Sequence, residues 1–202
     1  MPIIIYNVSW MLYNCFLAFL ALGFGYFFVI SVNKYVKAIF GLLWLLFLPN
    51  TIYIFTDLEH LIDQWPLLHP FFRIPLLLQY IFFELVGIVT FVIALIPFEK
   101  IILPLKLLKK RKIPVLIIFN FLIAFGMVLG RVERINSWEV FTSPLKVTNS
   151  AIHVFFSYNL FGLMILFGVL CNCIYFLTRD RVLSIMKRYS HVLDWQIAAD
   201  DF

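Results

Sequence analysis

The chain has 202 residues, 63% of them hydrophobic and only 13% charged, with a mean hydropathy of +0.99 and a formal net charge of +5. Soluble domains carry about 25% charged residues, so this composition excludes a soluble fold and requires a bilayer. The positive charges lie in short loops beside apolar runs, where topology and anionic headgroups account for them, and no basic module for nucleic acid is present.

There is room for about five spanning helices, since each needs roughly 20 residues to cross about 30 Å of hydrocarbon. The fold class expected is all-α, an integral membrane bundle of about five helices with a single domain over residues 1–178 and a tail over 179–202. Residues 10–32 form the first uncharged apolar run, with Asn14, Gly23 and Gly25 inside it. No basic n-region or convincing cleavage site marks it as a signal peptide, so a first span is expected. Lys34 and Lys37 follow at once, which places this loop in the cytoplasm and the N-terminus outside under the positive-inside rule.

The second span, over residues 38–55, is interrupted by Pro49, which lacks an N–H and disfavours helical geometry at Leu48. Residues 57–73 then read as an external loop with Asp57, Glu59, Asp63, His60 and His69 against Arg73. The third span covers 74–96 and buries Glu84 about 16 Å deep at 1.5 Å per residue. An ionised carboxylate at that depth is costly, so Glu84 is expected to be protonated, paired or facing water.

Residues 98–113 hold the densest positive charge, with Lys106, Lys109, Lys110, Arg111 and Lys112 placed to meet anionic headgroups on the cytoplasmic face. The fourth span covers 114–129 and returns to the outside at Gly130, Arg131, Glu133, Arg134 and Glu139. The fifth begins between Ala151 and Tyr158 and runs to Leu177. In the tail, Val182, Ile185, Met186, Tyr189, Val192 and Leu193 recur at helical spacing, as in an amphipathic interfacial helix. Cys15, Cys171 and Cys173 all fall within spans, where cysteine acts as a small hydrophobe and builds no disulfide framework.

This topology brings two charged segments to one face. If residues 57–61 are helical, Asp57 and His60 share a side at i, i+3, and Arg131 and Arg134 have the same relation. The segments Leu48-Pro49-Asn50-Thr51-x-Tyr53-x-x-Thr56-Asp57-Leu58-x-His60-Leu61 and Gly130-Arg131-x-x-Arg134-x-Asn136-Ser137-Trp138 together resemble two signatures of an uncharacterised membrane family, domain of unknown function 1361. Glu139 stands where that family's pattern suggests Asp. The resemblance extends over roughly residues 10–180; it implies where a site lies and implies no activity.

Three readings of the polar cluster compete. In the first, Asp57 pairs with Arg131 or Arg134 and pins the second and fourth spans, while Asn50, Thr51, Asn136 and Ser137 satisfy backbone freed at the proline break or a helix end. In the second, a ligand site uses Asn50, Tyr53, Arg131, Arg134, Asn136 and Trp138, with the arginines gripping an anionic group such as a lipid phosphate. Asp57 and His60 would then be the catalytic candidates if the protein were an enzyme acting on a lipid or lipid-linked substrate. No serine or cysteine stands in a nucleophile motif. In the third, Asp57 and His60 join His153 or Asp63 around a metal, a weak pattern beside H-E-x-x-H. A proton-coupled transport component built on Glu84 is a further alternative. The expectation is a multi-pass cell-membrane protein, a membrane subunit or a lipid- or anionic-ligand-binding protein, with membrane lipids and a protein partner or second copy as its associates.

Overall fold

The computed structural model describes residues 2–105 and 111–189. Among these residues there are eight α-helices and no strand: α1 (Pro2–Ile30), α2 (Lys34–Phe47), α3 (Leu58–Gln64), α4 (Pro70–Ala94), α5 (Lys112–Arg131), α6 (Glu139–Thr142), α7 (Pro144–Phe156) and α8 (Tyr158–Tyr189). Five stretches are long and apolar enough to cross a membrane: Ile3–Ile30, Lys34–Leu67, Pro70–Ile102, Lys112–Arg131 and Tyr158–Arg188. The chain is therefore a helical integral membrane bundle. α1 packs along α2 and α4, α5 packs along α8, and α4 meets α8 to join the two halves.

α2 starts where Asn33, in extended geometry, accepts hydrogen bonds from the Tyr35 and Val36 N–H groups, which satisfies donors that the first helical turn leaves orphaned. It ends at Phe47, and the chain continues as two 3₁₀ turns, Leu48–Thr51 and Tyr53–Asp57. Pro49 is the reason, and the neighbouring side chains bond the carbonyls of these turns: Asn50 Nδ2 donates to Phe47 O at 3.0 Å, Thr51 Oγ1 to Leu48 O at 2.8 Å and Thr56 Oγ1 to Tyr53 O at 2.6 Å. A break inside a span is tolerated when such groups replace water.

The segment after the break is not the irregular loop that residues 57–73 suggest. It continues as α3 and a 3₁₀ turn, Trp65–Leu67. Leu61 turns into a cluster with Met11, Ile54, Tyr80 and Phe83, and Gln64 exchanges two amide hydrogen bonds with the buried Asn7 of α1, at 2.7 and 3.0 Å. These inward contacts offset the exposure of Glu59 and Asp63 on the other face and keep the segment helical.

The main core gathers Trp44, Leu48, Phe91, Leu95, Phe98, Phe119, Ile123 and Tyr175. Phe98 and Phe119 stack with centroids 3.8 Å apart, and Trp44 Nε1 donates to Ala94 O at 2.7 Å where α4 ends. Beyond that end, the π-turn Phe98–Ile102 presents Glu99 to α8. Arg179 grips both Glu99 oxygens, through Nε at 3.0 Å and through Nη2, and the Tyr175 hydroxyl donates to Oε1.

α8 runs unbroken through the boundary expected at 178, and its Val182 and Leu183 pack on Val92 and Ile96 of the third span. Of the amphipathic pattern in this stretch, Met186 also packs on that cluster while Ile185 is exposed; Val192, Leu193 and Trp195 lie outside the described residues, as do Lys106, Lys109 and Lys110.

Candidate functional site

The proline break and the end of α5 meet through two glycines. Gly126 and Gly130 lie one helical turn apart on α5, and a Cβ at Gly126 would stand 2.5 Å from Pro49 Cγ, one at Gly130 1.6 Å from Tyr53 Oη. The broken segment seats in this groove as small-xxx-small packing allows, and Tyr53 Oη donates to Gly126 O at 2.9 Å.

That contact brings Asp57 to Arg131. Asp57 is 2% exposed, and its Oδ1 lies 3.0 Å from Arg131 Nη1. Its Oδ2 accepts from Asn14 Nδ2 of α1 at 2.8 Å. Arg131, 34% exposed, also directs Nη2 toward Thr56 O at 3.5 Å. Three spans therefore converge on one buried carboxylate. In the sequence Asn14 is only a polar residue inside the first apolar run, and no local pattern indicates that it reaches Asp57.

Beside this bridge lies a polar cavity of about 190 Å³, and Asn14, Asn50, Tyr53, Asp57, Arg131, Asn136, Ser137 and Trp138 are in its wall. Six of the residues expected at the site thus share one space. The loop that supplies Asn136 is fixed by Glu139, whose Oε2 accepts from the Asn136 N–H at 2.6 Å, and by Ser137 Oγ, which donates to Leu46 O at 2.9 Å.

Other expected residues are placed elsewhere. α5 ends at Arg131, so Arg134 does not continue its helical face; it is exposed, with φ at 54° in the left-handed region. His60 packs edge-on against Trp10, with centroids 5.5 Å apart, and both Asp57 oxygens are already engaged by Arg131 and Asn14. His153 pairs with Glu133 at 2.9 Å, and among the described residues no three His, Cys, Asp or Glu side chains gather as a metal would need. Glu84 lies outside the cavity wall, its two carboxyl oxygens buried without a hydrogen-bond partner among the described residues.

Two ion pairs hold α6 and α7 against this end: Glu139 with Lys146 at 2.6 Å and Glu133 with His153. The His153 hydrogen bond, above all, holds the Glu133 carboxyl below the usual carboxylate range, and the Lys146 hydrogen bond does the same for Glu139. A depressed carboxyl contributes stability that is fully present above its unfolded value, about 4.3, and is lost as pH falls through the lower folded value. The thermal midpoint of the detergent-solubilised protein is accordingly expected to fall on acidification below about pH 4.3, and the fall to flatten in a Glu133→Gln/Glu139→Gln variant. An unchanged acid slope in that variant would remove these pairs from the stability of the face.

Fold and site together define a polytopic helical membrane protein with a polar cavity where its second and fourth spans meet. The chain matches the family described as protein of unknown function (DUF1361) over residues 13–174, and it belongs to that family. No curated protein and no solved structure matches it.

Proposed function

We propose that this protein is a lipid-binding cell-membrane protein that holds the anionic headgroup of a lipid in the cavity beside Asp57 and Arg131. The observation that carries this reading is the state of Arg131: one edge of its guanidinium is fixed by a buried carboxylate, while the side chain lines a polar cavity. A guanidinium has five N–H donors in a planar fork suited to phosphate, and fixing it beforehand reduces the ordering cost of binding. Asn50 and Asn136 add amide groups, Tyr53 and Trp138 aromatic walls. Arg134, exposed beyond the wall, contributes long-range attraction rather than a contact. Acid–base catalysis by Asp57 and His60 has less support, because Asp57 is committed to Arg131 and Asn14.

Native mass spectrometry of wild type, Arg131→Ala and Arg131→Lys tests the reading. Arg131→Lys keeps a charge opposite Asp57 but lacks the fork, so a folded Arg131→Lys protein is expected to lose most of the anionic lipid that wild type retains. Unchanged retention in Arg131→Lys and Arg131→Ala would overturn it.

In this reading the cavity faces outward, and Lys106, Lys109, Lys110, Arg111 and Lys112 meet anionic headgroups on the cytoplasmic side. A reporter fused after Lys112 is expected to be cytoplasmic; an external signal would invert the orientation.

A further inference from the structure

A second cavity, of about 160 Å³, lies against the polar one and is almost wholly apolar: Leu45 and Leu46 of α2, Leu122, Phe125 and Leu129 of α5, and Val147 of α7 are in its wall. Tyr53, Ile135, Asn136 and Ser137 line both cavities, so the two adjoin along this shared edge. Two of these residues are held in place, Tyr53 by its bond to Gly126 O and Ser137 by its bond to Leu46 O. Leu45 and Leu122 are 38% and 49% exposed, and both lie on spanning helices, so part of the cavity wall belongs to the apolar face of the bundle that meets the hydrocarbon.

We infer that this groove takes an acyl chain of the same lipid whose phosphate-bearing headgroup sits at Arg131. The inference rests on the headgroup reading and adds that the ligand is membrane-borne rather than a soluble anion. A polar space holding a fixed guanidinium, adjoining an apolar space walled in part by lipid-facing side chains, matches an amphiphile with its charge at one end. Residues 135–137 line both spaces, so the joint between head and tail falls there. A free phosphate ion has no use for the second space. Bulk lipid gives an acyl chain the same apolar surroundings, so the groove adds packing and register rather than hydrophobic gain.

Photo-crosslinking tests this with the full chain in phosphatidylcholine vesicles containing phosphatidic acid with a diazirine on one acyl chain. Adducts are expected to concentrate on Leu122, Phe125 and Val147 over the lipid-facing Phe16 and Phe19 of α1. They are expected to fall roughly tenfold, a change equivalent to one decade in affinity, in Leu45→Trp or Leu122→Trp, which fill the groove without touching the polar wall. Adducts spread evenly over α1 and α5, or undiminished by either tryptophan, overturn the groove assignment. Displacement of the lipid by glycerol 3-phosphate at equal concentration also overturns it, since the tail would then add nothing. Groove adducts that persist unchanged in Arg131→Lys and Arg131→Ala would overturn the headgroup reading alone.

Discussion

Arg131→Ala is expected to lower the unfolding free energy by about 3–5 kcal/mol, the range for removing one partner of a buried ion pair, and Asp57→Ala by distinctly less. The asymmetry follows from what each substitution leaves behind. Without Arg131, a carboxylate that is 2% exposed keeps only the Asn14 amide; without Asp57, a guanidinium that is 34% exposed can turn to water. The Asp57→Ala/Arg131→Ala double variant should therefore be more stable than Arg131→Ala alone, with a coupling of about 2 kcal/mol. Equilibrium unfolding in mixed micelles measures the full cycle. Equal and additive single costs would mean that the pair is solvated and joins the spans only weakly.

Gly130→Ala is the second large effect. The added methyl would occupy the position of the Tyr53 hydroxyl, 1.6 Å away, with the ring carbon Cζ only 2.4 Å away. Tyr53 must leave the groove and give up its bond to Gly126 O. Overpacking costs about 1–3 kcal/mol and the lost hydrogen bond about 1, against a gain of about 1 from better helix propensity. A net loss of about 2 kcal/mol is expected, together with displacement of Tyr53 from the edge that the two cavities share. Tyr53→Leu, which removes the hydroxyl and shortens the side chain, should restore much of the stability of Gly130→Ala. If Gly130→Ala is neutral in the wild-type background, the close approach of the two segments is not a determinant of the fold.

Much of this was legible in the sequence because its causes are local. Pro49 removes an N–H and disfavours helical geometry at Leu48, and alternation of loop charge places residue 57 and residue 131 on one side of the bilayer whatever the packing. The family resemblance rested on the same two segments. Other features depend on contacts that no local pattern carries. Asn14 looks like any polar residue in a first span until α1 lies beside Asp57. The four-residue spacing of Gly126 and Gly130 matters only because Pro49 and Tyr53 fill it. Residues 58–67 looked like a loop because Glu59 and Asp63 dominate their composition, yet Leu61 and Gln64 have partners on α1 and α4 that hold them helical. Arg134 shares no helical face with Arg131 because α5 stops first.

Among the described residues two ion pairs join spans, and they divide by order along the chain. Asp57 and Glu99 belong to the second and third spans, and Arg131 and Arg179 to the fourth and fifth. During synthesis the first three spans therefore enter the bilayer with both carboxylates unmatched, and each is neutralised only when a later span delivers its guanidinium. A chain cut before α8 therefore lacks the guanidinium that pairs with Glu99, and one cut before the end of α5 lacks the partner of Asp57 as well.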